Sequence, residues 1–565
     1  MERKDILQNI QLQPEVDVLI IGGGVNGIGT FRDLALQGVR VLLAEKNDFC
    51  SGASAASSHM LHGGIRYLEN GEFRLVKEAL HERNLMLKNA PHYSKPLPTT
   101  IPMFRRFSGL LNAPLKFLGL LNRPAERGAL VIKLGLMMYD AFTGSQQTMP
   151  FHTFRGKKST LEEYPQMNPA VQYSATYYDA WMPMPERICI EMILDAEKAN
   201  PNAMALNYMR AADGKSDSVI LVDDQTSESY TVKPRVVINA GGPWIDFINE
   251  KLKEETRFIG GTKGSHLILD NPELRDATGG AEIFFENSDG RIVLIVAYNE
   301  RVMLGTTDIR IDNPEDAVCT DEEIDYILSM VPKVFPNIPT NPSQIVFHFS
   351  GVRPLPASTD KRTGSISRDH SIKTILPSKE NNYPIHSLVG GKWTSFRAFS
   401  EQTANVALKD LNKARQHSTV KIPIGGGHNY PADESAKKLW LEKLQQKVEL
   451  PIDRLKILFD RYGTYAADIA EFCSAENDTL LSSLPSYSKR ELAFLARNEK
   501  TERLSDILLG RTLISMLGYT QTEPQSLAEV GEVVGQALGW PESKITSEIE
   551  QARKLLVEKH GLHLT

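Results

Sequence analysis

Two short apolar runs separated by a helical pattern form the most regular stretch of the chain. Residues 18–21 and 39–44 are rich in Val, Leu and Ile, as buried strands are. Between them, the pattern predicts a helix from residue 28 to about residue 37, and Gly38 ends it. The chain therefore predicts a strand, a helix and a second strand in direct succession.

The same patterns predict the elements of the remaining chain. Helices are predicted over residues 71–90 and 191–200 and over most of the chain after residue 428. Strands are predicted as a hairpin at residues 218–224 and 230–233, as a buried strand from residue 235, and as antiparallel strands at residues 292–297 and 302–304. The glycine-rich residues 422–427 predict a linker.

Three glycines lie between the first strand and the helix. Gly22, Gly24 and Gly27 fit the spacing GxGxxG, which allows a tight turn, a close approach of pyrophosphate and close helix packing. The second strand ends at Glu45, where a carboxylate can accept hydrogen bonds from ribose hydroxyls. We therefore expect a dinucleotide with its phosphates at the helix N-terminus. The glycines alone do not distinguish FAD from NAD.

The polar segment after Glu45 makes that distinction. It resembles the motif S-x-x-S-S-[KR]-L-[IL]-H-G-G-[LIV]-R-Y-L-E of FAD-dependent glycerol-3-phosphate dehydrogenases. The matching residues are Ser57, Ser58, Leu61, His62, Gly63, Gly64, Arg66, Tyr67, Leu68 and Glu69. His59 departs from the family, which mostly has Lys or Arg at this place.

Further motifs extend the resemblance from residue 17 to beyond residue 512. They are NAGGPW at residues 239–244, KGSH at 263–266, GTTD at 305–308, SGVRPL at 350–355, SRDH at 367–370, GGKWTSFR at 390–397 and DILLGRT at 506–512. Gly241 replaces the usual Thr or Ala of the first of these motifs. The sequence after them contains no EF-hand loop, unlike the longer mitochondrial relatives, which indicates the bacterial type.

The resemblance implies an α/β (α+β) fold. A Rossmann-like FAD-binding domain is expected to be interleaved with an antiparallel-sheet substrate domain, followed by a C-terminal helical domain. The expected segments are 15–95, 186–260 and 346–420 for FAD binding, 96–185 and 261–345 for the substrate domain, and 428–565 for the helical domain.

The resemblance also implies which residues contact FAD. The expected cofactor-binding residues are Gly22, Gly24, Asn26, Gly27, Glu45, Lys46, Ser57, Ser58, Leu61, His62, Gly63, Gly241, Gly391, Lys392 and Thr394.

A substrate with a phosphate dianion needs several cations in one pocket, and arginine suits this because its fork makes paired bonds to phosphate oxygens. Substrate contacts are expected from Arg66, Tyr67, His266, Arg353, Arg368 and Lys392, with His62, Arg353 and Lys392 as catalytic residues. His62 is the candidate general base because histidine titrates near neutral pH, and His266 is the alternative. The implied reaction converts sn-glycerol 3-phosphate to dihydroxyacetone phosphate, with electrons passing from FAD to a ubiquinone- or menaquinone-type acceptor.

Composition narrows the choice of partners. The net charge of −6 gives no reason to expect nucleic-acid binding. The four cysteines have neither zinc nor disulfide spacing, so we expect no metal site and a reducing compartment. Residues 1–15 lack the apolar core of a secretory signal, and no run of about 18 apolar residues predicts a membrane span.

One basic, leucine-rich segment stands out in this acidic chain. Residues 103–138 carry Arg105, Arg106 and Lys116 among many leucines, which suits an interfacial helix on anionic lipid. A buried helical pair with its basic residues in water is the alternative. Together with the resemblance, the segment predicts a cytoplasmic enzyme bound peripherally to the inner (cytoplasmic) membrane. The sequence leaves open whether the chain forms a homodimer.

Other functions fit parts of the same pattern. An oxidase of glycerol 3-phosphate would use oxygen as the acceptor, and an amine oxidase of the glycine or sarcosine type would need a carboxylate clamp rather than many cations. A flavin-bearing membrane scaffold without enzymatic activity would need the basic segment but not the arginines.

Overall fold

The computed structural model of the protein describes residues 1–64, 72–105, 132–133, 135–137, 139–140, 149–287, 291–358 and 369–564. Arg66, Tyr67 and Arg368 lie outside these ranges, as does most of the basic segment at residues 103–138.

Strands and helices are mixed up to residue 410, and helices follow. The strands are β1 (Glu15–Ile21), β2 (Val41–Ala44), β3 (Met60–Leu61), β4 (Lys95–Met103), β5 (Thr153–Gly156), β6 (Tyr173–Trp181), β7 (Ala203–Leu206), β8 (Met209–Lys215), β9 (Ser218–Asp223), β10 (Ser229–Asn239), β11 (Thr262–Leu269), β12 (Glu282–Glu286), β13 (Ile292–Tyr298), β14 (Arg301–Gly305), β15 (Ile309–Arg310), β16 (Ile345–Arg353), β17 (Ser371–Ile375) and β18 (Ile385–Val389). The α-helices are α1 (Arg3–Leu12), α2 (Val25–Leu36), α3 (Phe73–Asn89), α4 (Lys157–Glu163), α5 (Pro185–Ala199), α6 (Ile245–Lys251), α7 (Pro272–Ala277), α8 (Asp321–Leu328), α9 (Val331–Val334), α10 (Phe396–Asp410), α11 (Glu434–Gln445), α12 (Ile452–Tyr462), α13 (Ala466–Ser474), α14 (Lys489–Asn498), α15 (Tyr519–Thr522), α16 (Ser526–Ala537) and α17 (Glu542–His560).

The first sheet has β1 near its centre, in the order β17-β18-β10-β1-β2-β7. β1 pairs in parallel with β2 and β10, and Val18, Leu19 and Ile20 are fully buried between the layers. Helix α2 packs against α5 and α10. The parallel strands therefore end side by side at the N-terminus of α2, which is where α/β sheets bind ligands.

The second sheet is mostly antiparallel, in the order β15-β11-β14-β13-β12-β4-β6-β3, with β16 paired to β11 and β5 to β6. The predicted strands at residues 292–297 and 302–304 are confirmed as the antiparallel pair β13 and β14. The strand pair β11 and β16 brings the KGSH and SGVRPL motifs into register.

One predicted strand boundary is wrong. The hairpin strand at residues 230–233 and the buried strand from residue 235 are a single strand, β10. Its first half pairs antiparallel with β9 and its second half parallel with β1, and Pro234 lies within the ladder opposite Val16. The proline does not end the strand because its fixed φ is compatible with extended backbone.

The predicted linker at residues 422–427 is also wrong. Gly426 and Gly427 are buried in a short 3-10 turn. The Gly426 N–H donates to Glu191 Oε2 at 2.9 Å, and the Ile424 N–H donates to the carbonyl of Asn89 at 2.8 Å. The glycines serve close packing here, because a Cβ on Gly427 would overlap the Asn89 carbonyl.

The C-terminal helices share one apolar core with the second sheet. Leu455, Leu492 and Val530 belong to the same buried cluster as Met303 and Phe347. Among the helices of the described ranges, none combines the length and the apolar character needed to cross a bilayer.

Candidate active site

The turn between β1 and α2 needs its glycines. Gly22 has a φ of +112°, and a Cβ on it would lie 2.5 Å from the carbonyl oxygen of Ala240 at the end of β10. A Cβ on Gly27 would overlap the carbonyl oxygen of Gly22. Side chains at these positions would push α2 away from the strand ends.

Small and polar groups surround the N-terminus of α2. The Val25 N–H donates to Ser54 Oγ at 2.9 Å. The Asn26 side chain lies against Gly391, where a Cβ would be 2.6 Å from Nδ2, and within the described residues its buried Oδ1 has no hydrogen-bond partner. A helix N-terminus, glycines without side chains and an unused amide acceptor fit the expected dinucleotide.

Glu45 lies beside the glycine turn, at the strand end where the ribose is expected. Its Oε2 accepts the Gly23 N–H at 2.6 Å, and its Oε1 accepts the Asn47 N–H at 2.8 Å. Burial raises the pKa of Glu45, although these backbone donors oppose the rise. The adjacent Lys46 pairs instead with Glu315.

The other expected cofactor residues lie along the loop at residues 48–63 or at the facing strand ends. Ser57 Oγ accepts the His59 N–H at 3.2 Å, and Gly241 N–H donates to Asn239 Oδ1 at 3.1 Å. Leu61 and Thr394 are buried. The Trp393 Nε1–H donates to the carbonyl of Ser54 at 2.7 Å, which ties the GGKWTSFR motif to the loop.

Three of the predicted motifs meet at Arg353. β16 ends at Arg353 and pairs with β11, which places its guanidinium over Gly264, where a Cβ would lie 2.7 Å from Cζ. Nη1 lies 3.3 Å from Asp308 Oδ1, and Nη2 donates to Thr306 Oγ1 at 3.1 Å. The GTTD turn therefore holds the fork of the SGVRPL arginine, and Gly264 of the KGSH strand leaves room for it.

The strand that carries Arg353 also contacts the loop at residues 48–63. A Cβ on Gly351 would lie 2.6 Å from the Cβ of Ala56. Ser58 Oγ lies 2.9 Å from His266 Nε2 on β11. These contacts bring the cationic motifs and the expected cofactor loop together.

A buried carboxylate that the sequence did not single out supports the KGSH strand and the GTTD turn. Glu323 Oε1 accepts from Ser265 Oγ at 2.8 Å and from Thr307 Oγ1 at 2.5 Å, and Lys263 Nζ lies 2.7 Å from Oε2. Burial alone would raise the pKa of Glu323, but these hydrogen bonds outweigh it and the pKa is lowered. The capping-box spacing from Thr320 predicts the start of α8 but not this role.

His62 faces a second unpredicted carboxylate. Its Nδ1 lies 3.5 Å from Asp179 Oδ2, and 44% of its side chain is exposed. The surrounding protein alone would lower the pKa of His62, but the hydrogen bond and charge of Asp179 outweigh this and the pKa is raised. A half-exposed imidazole beside a buried carboxylate is chemically able to accept a proton.

Asp179 is itself held firmly. Its Oδ1 accepts from the Gly63 N–H at 2.8 Å, from Tyr139 OH at 2.9 Å and from Arg83 Nη1 at 3.2 Å. The carboxylate therefore remains ionised although it is buried: desolvation raises its pKa, but His62 and Arg83 together lower it below the usual value.

Glu282, at the start of β12, is a third buried carboxyl group. Its Oε2 accepts from Thr99 Oγ1 at 2.9 Å, whereas its Oε1 is buried and has no hydrogen-bond partner within the described part of the chain. Burial raises the pKa of Glu282 to about 7, and the charge of His62 opposes the rise. No sequence motif marks this residue.

His266, the alternative base, is buried. Its ring stacks on Phe349 at a centroid distance of 4.9 Å, and its space depends on Gly305, where a Cβ would lie 2.7 Å from Nε2. Burial, and secondly the charge of Arg353, hold the pKa of His266 well below its usual value. From this position His266 can support the loop at residues 48–63 through its hydrogen bond with Ser58.

Lys392 follows Gly390 and Gly391, which have φ values of +78° and +99°. It is the residue that precedes the 3-10 turn leading into α10. Its charge acts against protonation of His62, so these two predicted catalytic residues belong to one electrostatic environment.

Comparison with known proteins agrees with this architecture. Residues 17–382 match the family described as FAD dependent oxidoreductase, and residues 417–545 match the C-terminal domain of alpha-glycerophosphate oxidase. The glycerol-3-phosphate dehydrogenase of Synechocystis is 32% identical over 95% of this chain and 95% of its own. The mitochondrial glycerol-3-phosphate dehydrogenase of Homo sapiens is 27% identical over 99% of this chain and 75% of its own.

A solved structure has the same fold. The glycerol-3-phosphate dehydrogenase from Bacillus halodurans, complexed with FAD, superposes with a TM-score of 0.74 at 20% identity and covers 98% of this chain and 97% of its own. The cofactor of this chain is FAD, and the glycine turn, Asn26 and Glu45 are the groups available to hold it. The chain belongs to the FAD-dependent glycerol-3-phosphate dehydrogenase family.

Proposed function

We propose that the protein oxidises sn-glycerol 3-phosphate to dihydroxyacetone phosphate with FAD and transfers the electrons to a membrane quinone. The observation that carries the proposal is the position of Arg353, a guanidinium held by the GTTD turn over Gly264, on a strand that contacts the loop at residues 48–63 through Gly351. Its fork suits a phosphate dianion. The names and coverage of the relatives support the same substrate.

In this proposal the substrate phosphate is bound by Arg353, whose partners Asp308 and Thr306 fix the plane of the fork. Fixing the plane matters because a misplacement of about 1 Å can cost on the order of 100-fold in rate. Arg66, Tyr67 and Arg368 remain proposed substrate contacts on the strength of their motifs.

His62 is the proposed base for the hydroxyl proton. Asp179 faces Nδ1 and favours the tautomer with the proton on that atom, which leaves Nε2 free to accept the proton from the substrate. FAD, when bound, supplies the acceptor for the hydride that leaves the carbon bearing this hydroxyl group. Loss of the hydride and the proton converts the alcohol to the ketone, and Lys392 adds a positive charge beside His62.

Turnover with defined acceptors tests the proposal. We expect the purified protein to reduce a soluble quinone analogue with sn-glycerol 3-phosphate under argon, and to form dihydroxyacetone phosphate in equal amount. Sarcosine and glycine serve as control substrates. Turnover with either amine but not with glycerol 3-phosphate would refute the proposal.

Oxygen is the second candidate acceptor, because the C-terminal residues 417–545 match a domain described for an oxidase. Hydrogen peroxide formed in step with dihydroxyacetone phosphate, without added quinone, would establish the oxidase reaction instead.

The proposed membrane contact is peripheral and cytoplasmic, through the basic segment at residues 103–138, most of which lies outside the described residues. Neutralising Arg105, Arg106 and Lys116 to Gln should move the protein from vesicles containing anionic lipid to the supernatant. A matched variant with Lys158, Lys438 and Lys554 changed to Gln should still bind, since these exposed lysines lie on other elements. Equal partitioning of both variants would contradict the assignment.

A further inference from the structure

A buried ion pair joins the C-terminal helices to the start of the loop at residues 48–63, the FAD loop. Asp48 lies three residues after Glu45, and Arg511 ends a π-helical turn, Asp506–Arg511. Arg511 Nη1 donates to Asp48 Oδ2, and Nη2 donates to Oδ1 at 3.0 Å. The side chain of Arg511 is fully buried.

Neighbouring groups fix both partners of the pair. Arg511 Nε donates to the carbonyl of Glu499 at 3.0 Å, so the guanidinium is oriented from the helical side. Asn207 Nδ2 donates to Asp48 Oδ1 at 3.0 Å and to the carbonyl of Lys500 at 3.0 Å. Gly510 leaves room for the pair, since a Cβ on it would lie 3.1 Å from Asp48 Oδ2.

A second connection runs parallel to the first. The Tyr208 N–H donates to the carbonyl of Asn47 at 3.0 Å, and its hydroxyl donates to Asp506 Oδ1. Asp506 Oδ2 accepts the backbone N–H groups of Glu502 and Arg503 at 2.9 and 3.0 Å. The two connections hold residues 47–48 against one turn of the helical domain.

The loop that begins at Asp48 carries groups of the FAD site. Ser51 Oγ donates to the carbonyl of Asp48 at 2.6 Å, and the Cys50 N–H donates to the carbonyl of Gly23 at 2.8 Å. Farther along, Ser54 caps the N-terminus of α2. A displacement of Asp48 would therefore disturb both the glycine turn at Gly23 and the N-terminus of α2, where the pyrophosphate is expected.

We propose that Arg511 is a positioning residue that holds the loop at residues 48–63 in its FAD-binding conformation through Asp48. The helical domain then helps the protein to retain FAD. It keeps the loop ordered, and a loop that is already ordered loses little entropy when FAD binds. This inference depends on FAD binding and not on the identity of the substrate. It also explains why the DILLGRT motif contains an arginine.

The rate of FAD loss from the holoenzyme tests the proposal. After dilution, free FAD is followed by its fluorescence, and thermal unfolding of the same samples is followed by circular dichroism. Arg511→Lys and Asp48→Asn should each release FAD faster by about 10- to 100-fold. The double variant should release FAD no faster than the faster single variant, because both act through one contact.

Arg454→Lys is the matched control. Arg454 is a buried arginine of the same helical domain that pairs with Glu491 and does not reach the FAD loop. It should lower the thermal midpoint as Arg511→Lys does, with FAD release within about twofold of the parent protein. Should Arg511→Lys not fold, Asn207→Ala, which removes one hydrogen bond to Asp48, is expected to speed FAD release by a smaller factor.

Three results would overturn the proposal. One is FAD release from Arg511→Lys and Asp48→Asn at the parent rate. Another is equal acceleration by Arg454→Lys, which would show that loss of stability is sufficient. The third is a double variant whose effect multiplies the single effects, which would show that the two residues act separately.

Discussion

The guanidinium of Arg353 lies in the space that a side chain on Gly264 would fill. A Cβ on Gly264 would lie 2.7 Å from the Cζ atom and would overlap Nη2. The glycine of one motif is thus explained by the arginine of another. The fork can lie flat on β11 only because this position has no side chain.

Gly264→Ala should therefore displace the fork without removing its charge. We expect KM for glycerol 3-phosphate to rise about 10- to 100-fold, since loss of a charge-assisted hydrogen bond costs about 1.5–3 kcal/mol. The FAD content should be unchanged. Gly156→Ala is the control, because a Cβ there meets nothing within 4 Å. An unaltered KM in steady-state assays of Gly264→Ala would separate Arg353 from substrate binding.

The pH profile tests the pairing of His62 with Asp179. A base must be neutral to accept a proton, so kcat/KM should rise as pH passes the pKa of His62. Asp179 raises this pKa, and Asp179→Asn should therefore shift the acid limb to lower pH. His62→Gln should lower kcat by about 10²- to 10⁴-fold and remove the limb.

Tyr139→Phe provides the matched control for this profile. It removes one donor to Asp179 but keeps the carboxylate charge, so the acid limb should stay close to its position in the parent protein. A limb that moves with Tyr139→Phe but not with Asp179→Asn would assign the titration to another group.

The glycine turn predicts a direct effect on cofactor content. Gly27→Ala places a Cβ onto the carbonyl oxygen of Gly22, which must push α2 away from the end of β1. We expect the purified variant to lose most of its flavin absorbance, whereas Gly156→Ala keeps it. A yellow, fully loaded Gly27→Ala protein would contradict the assigned cradle.

Glu186, a buried residue of α5, should make the stability of the folded protein depend on pH. Burial raises its pKa to about 8, although Arg511 opposes the rise, whereas a glutamate in the unfolded chain has a pKa of about 4.3. Between these values the folded state holds the proton that the unfolded state has lost, so stability falls as pH rises. Glu186→Gln should remove this loss. Its thermal midpoint should increasingly exceed that of the parent from pH 5 to pH 8, and a constant difference would refute the assignment.

The contiguous motifs were predictable from the sequence because each completes a local structure. The glycine turn, Glu45 at the strand end and the strands at residues 292–304 all follow from spacing over a few residues. The same local logic failed at Pro234, where pairing with β1 continues the strand, and at residues 422–427, where a buried carboxylate fixes the glycines.

The carboxylates of the site were not predictable in this way. Asp179 and Glu282 lie on β6 and β12, far from His62 in sequence, and they gain their roles only when the second sheet forms. Arg511 and Asp48 are 463 residues apart. Single acidic residues in strands carry no spacing signal, so only the three-dimensional arrangement identifies them.

Anaerobic titration of the FAD-loaded protein with sn-glycerol 3-phosphate tests the central claim most directly. We predict that the yellow flavin band bleaches and that dihydroxyacetone phosphate forms in an amount equal to the flavin. We also predict that Arg353→Met needs a much higher substrate concentration for the same bleaching. A flavin band that stays oxidised with glycerol 3-phosphate at any concentration would contradict the account.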